Sequence, residues 1–438
     1  MDTITHGIAG ALIAKAIFRG EDLFRSRVAG ATTGEKNGSS RQGRDAETAK
    51  DPPVQPGNAQ TANAPSAHSV SRARVLTWSL MLGSIFPDSD VFRDIFSHDR
   101  LLIVTWHRSI THSLVMMPLW ALLLAAVTRW YAKRQNWEAP SFAALSGIYA
   151  VGILSHILLD LATTFGTMIW SPLEWARPAW DLLFIVDFTL SALMLVPQFL
   201  AWVYSQPERM RRRAVGLCVV FLPAPIVISR LAEAAGAPIS DRVTFGAMIL
   251  LALIFMCPAV RGWGLKVRYA GWNRAGFAAA LGYVALAFFA HRVALERILK
   301  FAELDHLQVE SIGALPLPPS VWHWDGLVRS ARGVYELRMD LSEKAPSDSE
   351  LLVQEHRYYP DAPPNSYIEA ARRLPQVQKV LWFARFPVTR FHKEGGDGVV
   401  EISDIRFVRP RSGGSTAFTY RVRFGADGNV LSQGWVSR

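Results

Sequence analysis

Long apolar runs are the feature that most constrains what this chain can fold into. Six runs approach the ~20 residues that a helix needs to cross a bilayer, and two shorter runs precede them. The long runs lie near residues 110–128, 143–161, 182–204, 214–232, 243–260 and 275–294, and the short ones at 6–18 and 75–86. Hydrophobic residues make up 50 % of the chain and charged residues 19 %, a balance that favours a membrane protein. We therefore predict a mainly α, polytopic helical membrane protein.

Basic residues between the apolar runs predict how the helices are oriented. The segments 129–134, 208–213 and 261–274 are strongly basic, whereas 162–181 and 233–242 are not. Cytoplasmic loops carry an excess of Lys and Arg, so we expect the three basic segments on the cytoplasmic side. The net charge of +10 is spread over many short segments. This pattern predicts the lipid bilayer as a partner and argues against nucleic acid.

Composition divides the chain into three predicted parts. Residues 1–190 would form a membrane-embedded core with a helical metal site, 191–300 would add transmembrane helices, and 305–438 would form a small soluble α+β domain outside the cytoplasm. The segment 314–322 is typical of a linker into that domain. Residues 19–74 are polar and rich in Gly, Ser, Ala and Pro, which predicts a disordered cytoplasmic insertion.

Alternating hydrophobicity indicates the elements of the last part. Strands are predicted at 333–341, 379–391, 399–408 and 417–435, with a turn at Asp427-Gly428 inside the last segment. One short helix is predicted at 366–374.

A set of His and Asp side chains is predicted to meet at one membrane face. If the helices run as the basic segments indicate, these residues all lie at the outer ends of four apolar runs. They are His6, Asp88, Asp90, His107, His112, His156 and Asp160. Ionisable residues at a membrane edge are functional hypotheses by default, although a lone His or Asp at a helix end is more often a cap or an interface residue.

Spacing within the motifs adds geometry to this prediction. His156 and Asp160 are four residues apart, so they share one helix face and can hold one ion. The carboxylates of the PDSD segment are two apart after a proline, where an extended backbone would point both the same way. The two histidines of HRSITHS are five apart, so we expect a helix start between them, capped by Ser109 or Thr111.

The ligand types indicate a divalent transition metal. Imidazole and carboxylate without thiolate suit Zn²⁺, with Mn²⁺ or Fe²⁺ as alternatives. Seven ligands exceed what one zinc ion takes, so we predict two or more ions. Arg108 has two roles open to it. It would pair with a carboxylate such as Asp88, or bind an anionic substrate, because its planar guanidinium donates two parallel hydrogen bonds to phosphate.

Four motifs resemble those of the YdjM-type membrane-bound metal-dependent hydrolases. They are THGIAGALIA at 5–14, GSIFPDSD at 83–90, HRSITHS at 107–113 and SHILLDLATTFG at 155–166. The resemblance covers roughly the first 190 residues. It implies an inner-membrane hydrolase whose metal ligands are the seven residues above, with Thr111, Thr164 and Gly166 as supporting motif residues. The family looks distantly similar to zinc-dependent phospholipase C and nuclease P1 proteins, which hydrolyse phosphoesters.

The leading hypothesis is a membrane-bound metal-dependent hydrolase of a phosphoester, in a lipid or an envelope metabolite, that uses metal-activated water. Asp88 or Asp90 would serve as general base where it is not a ligand, and Arg108 would contact the substrate. The site and residues 305–438 would face outward from the bacterial inner membrane.

Two alternatives belong to other classes of protein. The first is a non-enzymatic metal transporter or metal-sensing membrane protein, although transporters place ion sites near the bilayer midplane and the candidate ligands here lie at helix ends. In the second, the metal is structural and residues 305–438 perform the binding.

Overall fold

The structure, a computed structural model, describes most of the chain outside the predicted insertion. It covers residues 1–18, 71–97, 99, 101–234, 239–317, 321–343, 347, 348, 350, 356–407 and 418–436. The predicted disorder at 19–70 therefore concerns residues outside this description. The insertion was predicted to extend to residue 74, but a helix already begins at Arg72.

The described chain as far as residue 304 is mainly helical, with its longest loop at 162–187. The helices are α1 (Thr3–Ile17), α2 (Arg72–Ile85), α3 (Val91–Phe96), α4 (Leu102–Thr105), α5 (Met117–Arg134), α6 (Phe142–Leu161), α7 (Phe188–Val203), α8 (Met210–Phe221), α9 (Ala224–Ala234), α10 (Asp241–Val260) and α11 (Tyr269–Leu304). Short 3₁₀ turns at Phe86–Asp90 and Ile110–His112 separate the helices near the predicted site.

Four helical segments of the described chain are long and apolar enough to cross a membrane. They are Phe142–Leu161, Pro207–Leu231, Asp241–Val260 and Tyr269–Leu304. A fifth span results if Leu102–His112 and Met117–Arg134, which are bent by 69° to one another, count as one broken span. The prediction of a mainly α, polytopic membrane protein is confirmed.

Two of the predicted spans begin later than the apolar pattern indicates. The run 110–128 does not start a helix at Ile110, because α5 begins at Met117 with Pro118 in its first turn, where proline fits best. Ser113 Oγ accepts hydrogen bonds from the amides of Val115 and Met116. Neither Ser109 nor Thr111 caps a helix as predicted, since Ser109 makes no capping bond and Thr111 lies within the 3₁₀ turn.

The run 182–204 contains a helix of only 16 residues. Leu182 and Leu183 precede it in a loop, where both amides donate to the carbonyl of Ala162. Asp187 then caps α7 by accepting from the amide of Leu190 at 2.9 Å. The helix therefore begins at Phe188 and not at residue 182, as the apolar run predicted.

The described residues of the last third of the chain form two antiparallel sheets of four strands each, in the orders β1-β2-β3-β4 and β5-β6-β7-β8. The strands are β1 (Val309–Pro316), β2 (His323–Ser330), β3 (Gly333–Asp340), β4 (His356–Pro360), β5 (Pro387–Glu394), β6 (Asp397–Asp404), β7 (Thr419–Phe424) and β8 (Val430–Trp435). Two helices, α12 (Ser366–Arg373) and α13 (Pro375–Phe383), connect the sheets.

The sequence prediction was wrong at three places in this part. The strand predicted at 399–408 ends at Asp404, and a 3₁₀ turn follows at Ile405–Phe407. The segment 379–391 is not one strand, because α13 occupies its first residues and β5 begins only at Pro387. Val377, Val380 and Phe383 are buried at helical spacing, which explains the helix. The segment 314–322 is not a linker, because β1 includes Ala314 and Leu315, both buried in the first sheet.

Hydrophobic cores join these parts of the molecule. One core contains side chains of α1, α7 and α11 together with Trp324, Val328 and Leu337 of the first sheet. A second core places Val104 of α4 and Phe165 against α12, α13 and the second sheet. The boundaries 1–190, 191–300 and 305–438 stay a prediction, and contacts cross each of them.

Small residues let the helices approach closely beside the predicted site. A Cβ at Gly152 of α6 would lie 2.7 Å from the carbonyl oxygen of Leu80 and 3.0 Å from backbone atoms of Gly83, both in α2. A Cβ at Gly10 of α1 would lie 2.5 Å from Ser84 Oγ. The backbones of α1, α2 and α6 are therefore in near contact one turn before His156.

Candidate metal centre

Four of the predicted ligands meet at the end of α6. They are Asp88, His112, His156 and Asp160, and one donor atom from each lies within 4.8 Å of the others. The two Nε2 atoms of the histidines are 3.1 Å apart. Asp160 Oδ2 lies 3.3 Å from Nε2 of His112 and 3.5 Å from that of His156. Asp88 Oδ1 lies 3.6 and 3.4 Å from the same two nitrogens.

These distances fit a divalent metal ion. Ligand atoms bound at 2.0–2.1 Å to a tetrahedral zinc ion are roughly 3.3 Å apart, and the five distances given range from 3.1 to 3.6 Å. Asp160 Oδ2 is buried and accepts no hydrogen bond from the described residues. A buried carboxylate oxygen without a donor is costly, and a cation among these four atoms would remove that cost.

The opposite ring nitrogens decide which tautomer each histidine adopts. His156 Nδ1 lies 2.7 Å from the carbonyl oxygen of Ser84, which can only accept, so Nδ1 carries a proton, and in the neutral imidazole Nε2 then has the free lone pair. His112 Nδ1 lies 3.1 Å from Thr111 Oγ1 and 3.4 Å from Asp90 Oδ2. Both Nε2 atoms are thus oriented as metal ligands, in the arrangement that outer carboxylates and carbonyls provide at metal sites.

The structure places the remaining three predicted ligands beside the cluster rather than in it. His6 stacks on the ring of His156, with centroids 3.6 Å apart, and its Nε2 lies 3.2 Å from Asp160 Oδ1. His107 Nδ1 lies 3.1 Å from Asp90 Oδ1. His6 therefore contacts the cluster directly, Asp90 contacts it through His112 at 3.4 Å, and His107 is joined to it through Asp90.

The two carboxylates of PDSD point to different partners. They were expected to be extended and to point the same way, but Phe86–Asp90 is a 3₁₀ turn, in which residues two apart lie on different sides because three residues complete a turn. Asp88 points to the histidine pair. Asp90 accepts from the amide of Arg108 at 2.9 Å and from Thr111 Oγ1 at 3.5 Å.

Both of these carboxyl groups are held in the ionised form. Burial alone would raise the pKa of Asp88, but hydrogen bonds with His112 and His156 outweigh burial and lower the pKa below its ordinary value. Burial would likewise raise the pKa of Asp90, and its hydrogen bond with His107 helps to lower that pKa instead. Ionised carboxylates are the form that a metal ion and a neighbouring imidazole both need.

Arg108 pairs with the cluster through Asp160 and not through Asp88. Its Nη2 lies 3.0 Å from Asp160 Oδ1, and its Nη1 donates to Thr163 Oγ1 at 2.9 Å. The side chain is 5 % exposed, and the backbone is left-handed, with φ of 61°. Such a conformation is uncommon for a residue other than glycine and marks a locally strained position.

Two of the supporting motif residues, Thr164 and Gly166, lie in the loop after α6 and adjoin arginines outside the cluster. Thr164 accepts a hydrogen bond at its carbonyl from Arg406 Nη1 at 2.7 Å. Gly166 has φ of +82°, and a Cβ there would lie 2.6 Å from Arg177 Cγ. Arg177 Nη2 donates to the carbonyl oxygens of Val104 and His107.

Several contacting residues were missed by sequence reasoning. Thr3 Oγ1 donates to Asp88 Oδ2 at 2.6 Å, Ser84 contacts His156 as described, and Thr163 Oγ1 donates to the carbonyl oxygen of Asp160 at 2.8 Å. The backbone nitrogen of Met1 also contacts Asp160 Oδ1. Hydroxyl and backbone groups leave little signal in a single sequence. The proximity of Thr3 to the first motif and of Ser84 to PDSD was the one available indication.

The fold and the site define a polytopic helical membrane protein with a cluster of His and Asp residues that could hold a metal ion. The model of the family described as YdjM inner membrane protein matches residues 57–237. This match confirms, over that range, the family resemblance that the motifs predicted, and the range includes all four residues of the cluster. Neither a curated protein nor a solved structure matches the chain.

Proposed function

We propose that this chain is a membrane-embedded metal-dependent hydrolase of a phosphoester, in a lipid or an envelope metabolite. The observation that carries the proposal is the set of four donor atoms from Asp88, His112, His156 and Asp160, five of whose separations match those around one tetrahedral ion. Zn²⁺ is the proposed ion, with Mn²⁺ or Fe²⁺ as alternatives. A second ion, bound with His6, Asp90 or His107, stays a prediction.

Differences in exposure among the four residues indicate which of them substrate and water would contact. A divalent ion held there would act as a Lewis acid and would lower the pKa of water. The side chain of Asp88 is 9 % exposed, whereas those of the other three residues are fully buried, so substrate and water reach the cluster at Asp88. Asp88 Oδ1 is the oxygen that faces the two histidines, and Oδ2, which accepts from Thr3 Oγ1, is our proposed proton acceptor.

Arg108 and Asp90 are proposed to support this chemistry from outside the cluster. Both outer nitrogens of Arg108 are engaged, with Asp160 and Thr163, so its charge balances Asp160 and it does not bind substrate. Asp90 is surrounded by donors from the HRSITHS segment. It orients His112 as a positioning residue.

We place the site at the outer face of the inner membrane, with the two sheets on the same side. The family is described as inner-membrane. The basic segments 129–134, 208–213 and 261–274 lie at helix ends and in the turns beside them, and the positive-inside rule assigns these ends to the cytoplasm. The cluster lies at the opposite end of α6 from the segment 129–134 that precedes this helix.

Hydrolysis by the metal-loaded protein tests the proposal. Purified protein is stripped with a chelator, reloaded with Zn²⁺ or Mn²⁺, and assayed on a panel of phosphomonoesters and phosphodiesters that includes phospholipids. We expect activity that requires the metal and that falls by at least about a hundredfold in Asp88→Asn. His291→Ala, a histidine of α11 outside the site, is the matched control. Metal-independent activity, or full activity in Asp88→Asn, would contradict the proposal.

One observation favours transport as a second candidate function. Leu102–His112 and Met117–Arg134 form a bent pair, and broken helices often surround the ion sites of transporters. His112 lies at this break. Uptake of Zn²⁺ into sealed proteoliposomes that is lost in His156→Ala would establish transport, and uptake equal to that of protein-free liposomes would exclude it.

A further inference from the structure

An apolar cavity of about 490 Å³ begins at the candidate metal centre. It lies between α2, α3, α5 and α6, and its volume is in the range of about 300–1,000 Å³ that is typical of ligand sites. Its walls include Leu82, Ile85, Phe86, Phe92, Leu124 and Val127. Of the described residues that line it, Asp88 alone is charged.

From the candidate metal centre, the cavity extends along the axes of the surrounding helices. Asp88 and Thr3 line one end, and Thr128 and Tyr149 line the other, where their hydroxyl groups are 2.6 Å apart. Tyr149 precedes His156 by seven residues on α6, which corresponds to about 10 Å along the axis. The far end of the cavity is therefore about two helical turns deeper in the membrane than the metal centre.

The rim of the cavity opens sideways from the helices. Leu82 is 57 % exposed, Val127 53 % and Phe92 64 %. The cavity lies against α6, a candidate span, and α5, the second half of the bent pair. An opening lined by apolar side chains at this depth faces hydrocarbon and not water, so its occupant enters from the bilayer.

From this geometry we infer that the cavity binds one acyl chain of a membrane phospholipid, with the ester-linked headgroup at Asp88. An acyl chain needs an apolar channel without hydrogen-bonding demands, and a headgroup needs the polar end. The inference names the substrate class of the proposed hydrolase and so rests on that function, but binding of the chain itself requires no metal.

Photochemical crosslinking tests the inference separately from hydrolysis. The metal-stripped protein is placed in phosphatidylcholine nanodiscs that contain phosphatidylglycerol with a diazirine near the end of a palmitoyl chain. After irradiation, labelled peptides are located by mass spectrometry. We expect label on the peptides that contain Leu82, Phe92 and Val127. Because no metal is present, the result is independent of whether the protein proves to be a hydrolase.

A matched pair of variants on α5 separates binding in the cavity from general contact with lipid. Val127→Trp fills the cavity, whereas Leu123→Trp adds the same side chain at a position of similar exposure, 50 %, that does not line it. We expect labelling of the cavity peptides to fall by about tenfold, or about 1.4 kcal/mol, in the first variant and to be unchanged in the second.

Leu82→Trp, on α2, provides a second filling variant should Val127→Trp fail to fold, with the same expected loss. Label spread evenly over the lipid-facing surfaces of α5, or equal labelling in the filling and control variants, would overturn the inference.

Discussion

In each of the two histidines of the cluster, the contact that Nδ1 makes determines how the ring is oriented. Ser84 O holds the proton of His156 on Nδ1, and Asp90 with Thr111 faces Nδ1 of His112. The sequence predicted that these histidines lie together, and the four-residue spacing correctly predicted that His156 and Asp160 approach one another. The sequence did not show which residues would belong to the cluster and which would lie beside it. For Asp88 and Asp90, that difference depends on the 3₁₀ turn Phe86–Asp90.

Asp90→Asn is predicted to weaken metal binding without abolishing it. Loss of a carboxylate that orients a ligand histidine typically lowers metal affinity by about 10–100-fold, whereas Asp88→Asn would remove one of the four proposed ligands. Competition titration against a chelator of known affinity measures both variants, with Ser89→Ala between them as control. Equal and complete loss of binding in Asp90→Asn and Asp88→Asn would show that Asp90 is itself a ligand.

Close packing of α1, α2 and α6 determines the site at the scale of helices. The approach at Gly83 and Gly152 brings the Ser84 carbonyl within reach of His156, one turn further along α6. The sequence predicted these helices by their hydrophobicity. It did not predict the late start of α5, where Pro118 and the hydrogen bonds that Ser113 Oγ accepts from Val115 and Met116 override the apolar pattern. Nor did it predict helix α13, where helical periodicity competes with β-forming residues.

Gly152→Ala is predicted to disturb both the fold and the metal site. The added Cβ would clash with the α2 backbone, and overpacking of this kind costs about 1–3 kcal/mol. Gly147→Ala is the matched control on the same helix, since no atom lies within 4 Å of its Cβ and alanine has the higher helix propensity.

Thermal unfolding in detergent and bound metal per chain measure both glycine variants. We expect lower values of both for Gly152→Ala and unchanged or higher stability for Gly147→Ala. A Gly152→Ala protein with the stability and metal content of the unsubstituted protein would contradict the role assigned to the helix contact.

At the scale of the whole molecule, shared hydrophobic cores join the helical part to the two sheets. Phe165, which follows the last motif, contacts Phe383, Phe407 and Phe418, and Arg385 pairs with Asp181 at 2.8 Å. The sequence predicted a mainly α membrane protein followed by an α+β part. It could not predict these contacts, because they join residues more than two hundred positions apart and no local pattern encodes such pairs.

Cysteine accessibility is predicted to place the sheets and the 129–134 segment on opposite sides of the membrane. In a background of Cys218→Ala and Cys257→Ala, a cysteine at the exposed Glu394 should react with an impermeant maleimide in intact spheroplasts. One at the exposed Gln135 should react only after permeabilisation, because basic loops stay in the cytoplasm. The reverse pattern would invert the proposed orientation.

The metal content of the purified protein tests the central claim most directly. Elemental analysis after exhaustive dialysis should find at least one equivalent of zinc, manganese or iron per chain. The double variant His112→Ala, His156→Ala should retain less than a tenth of it, while His291→Ala retains it fully. A folded, unsubstituted protein that holds no stoichiometric metal after reloading, or a double variant with undiminished metal content, would contradict the account.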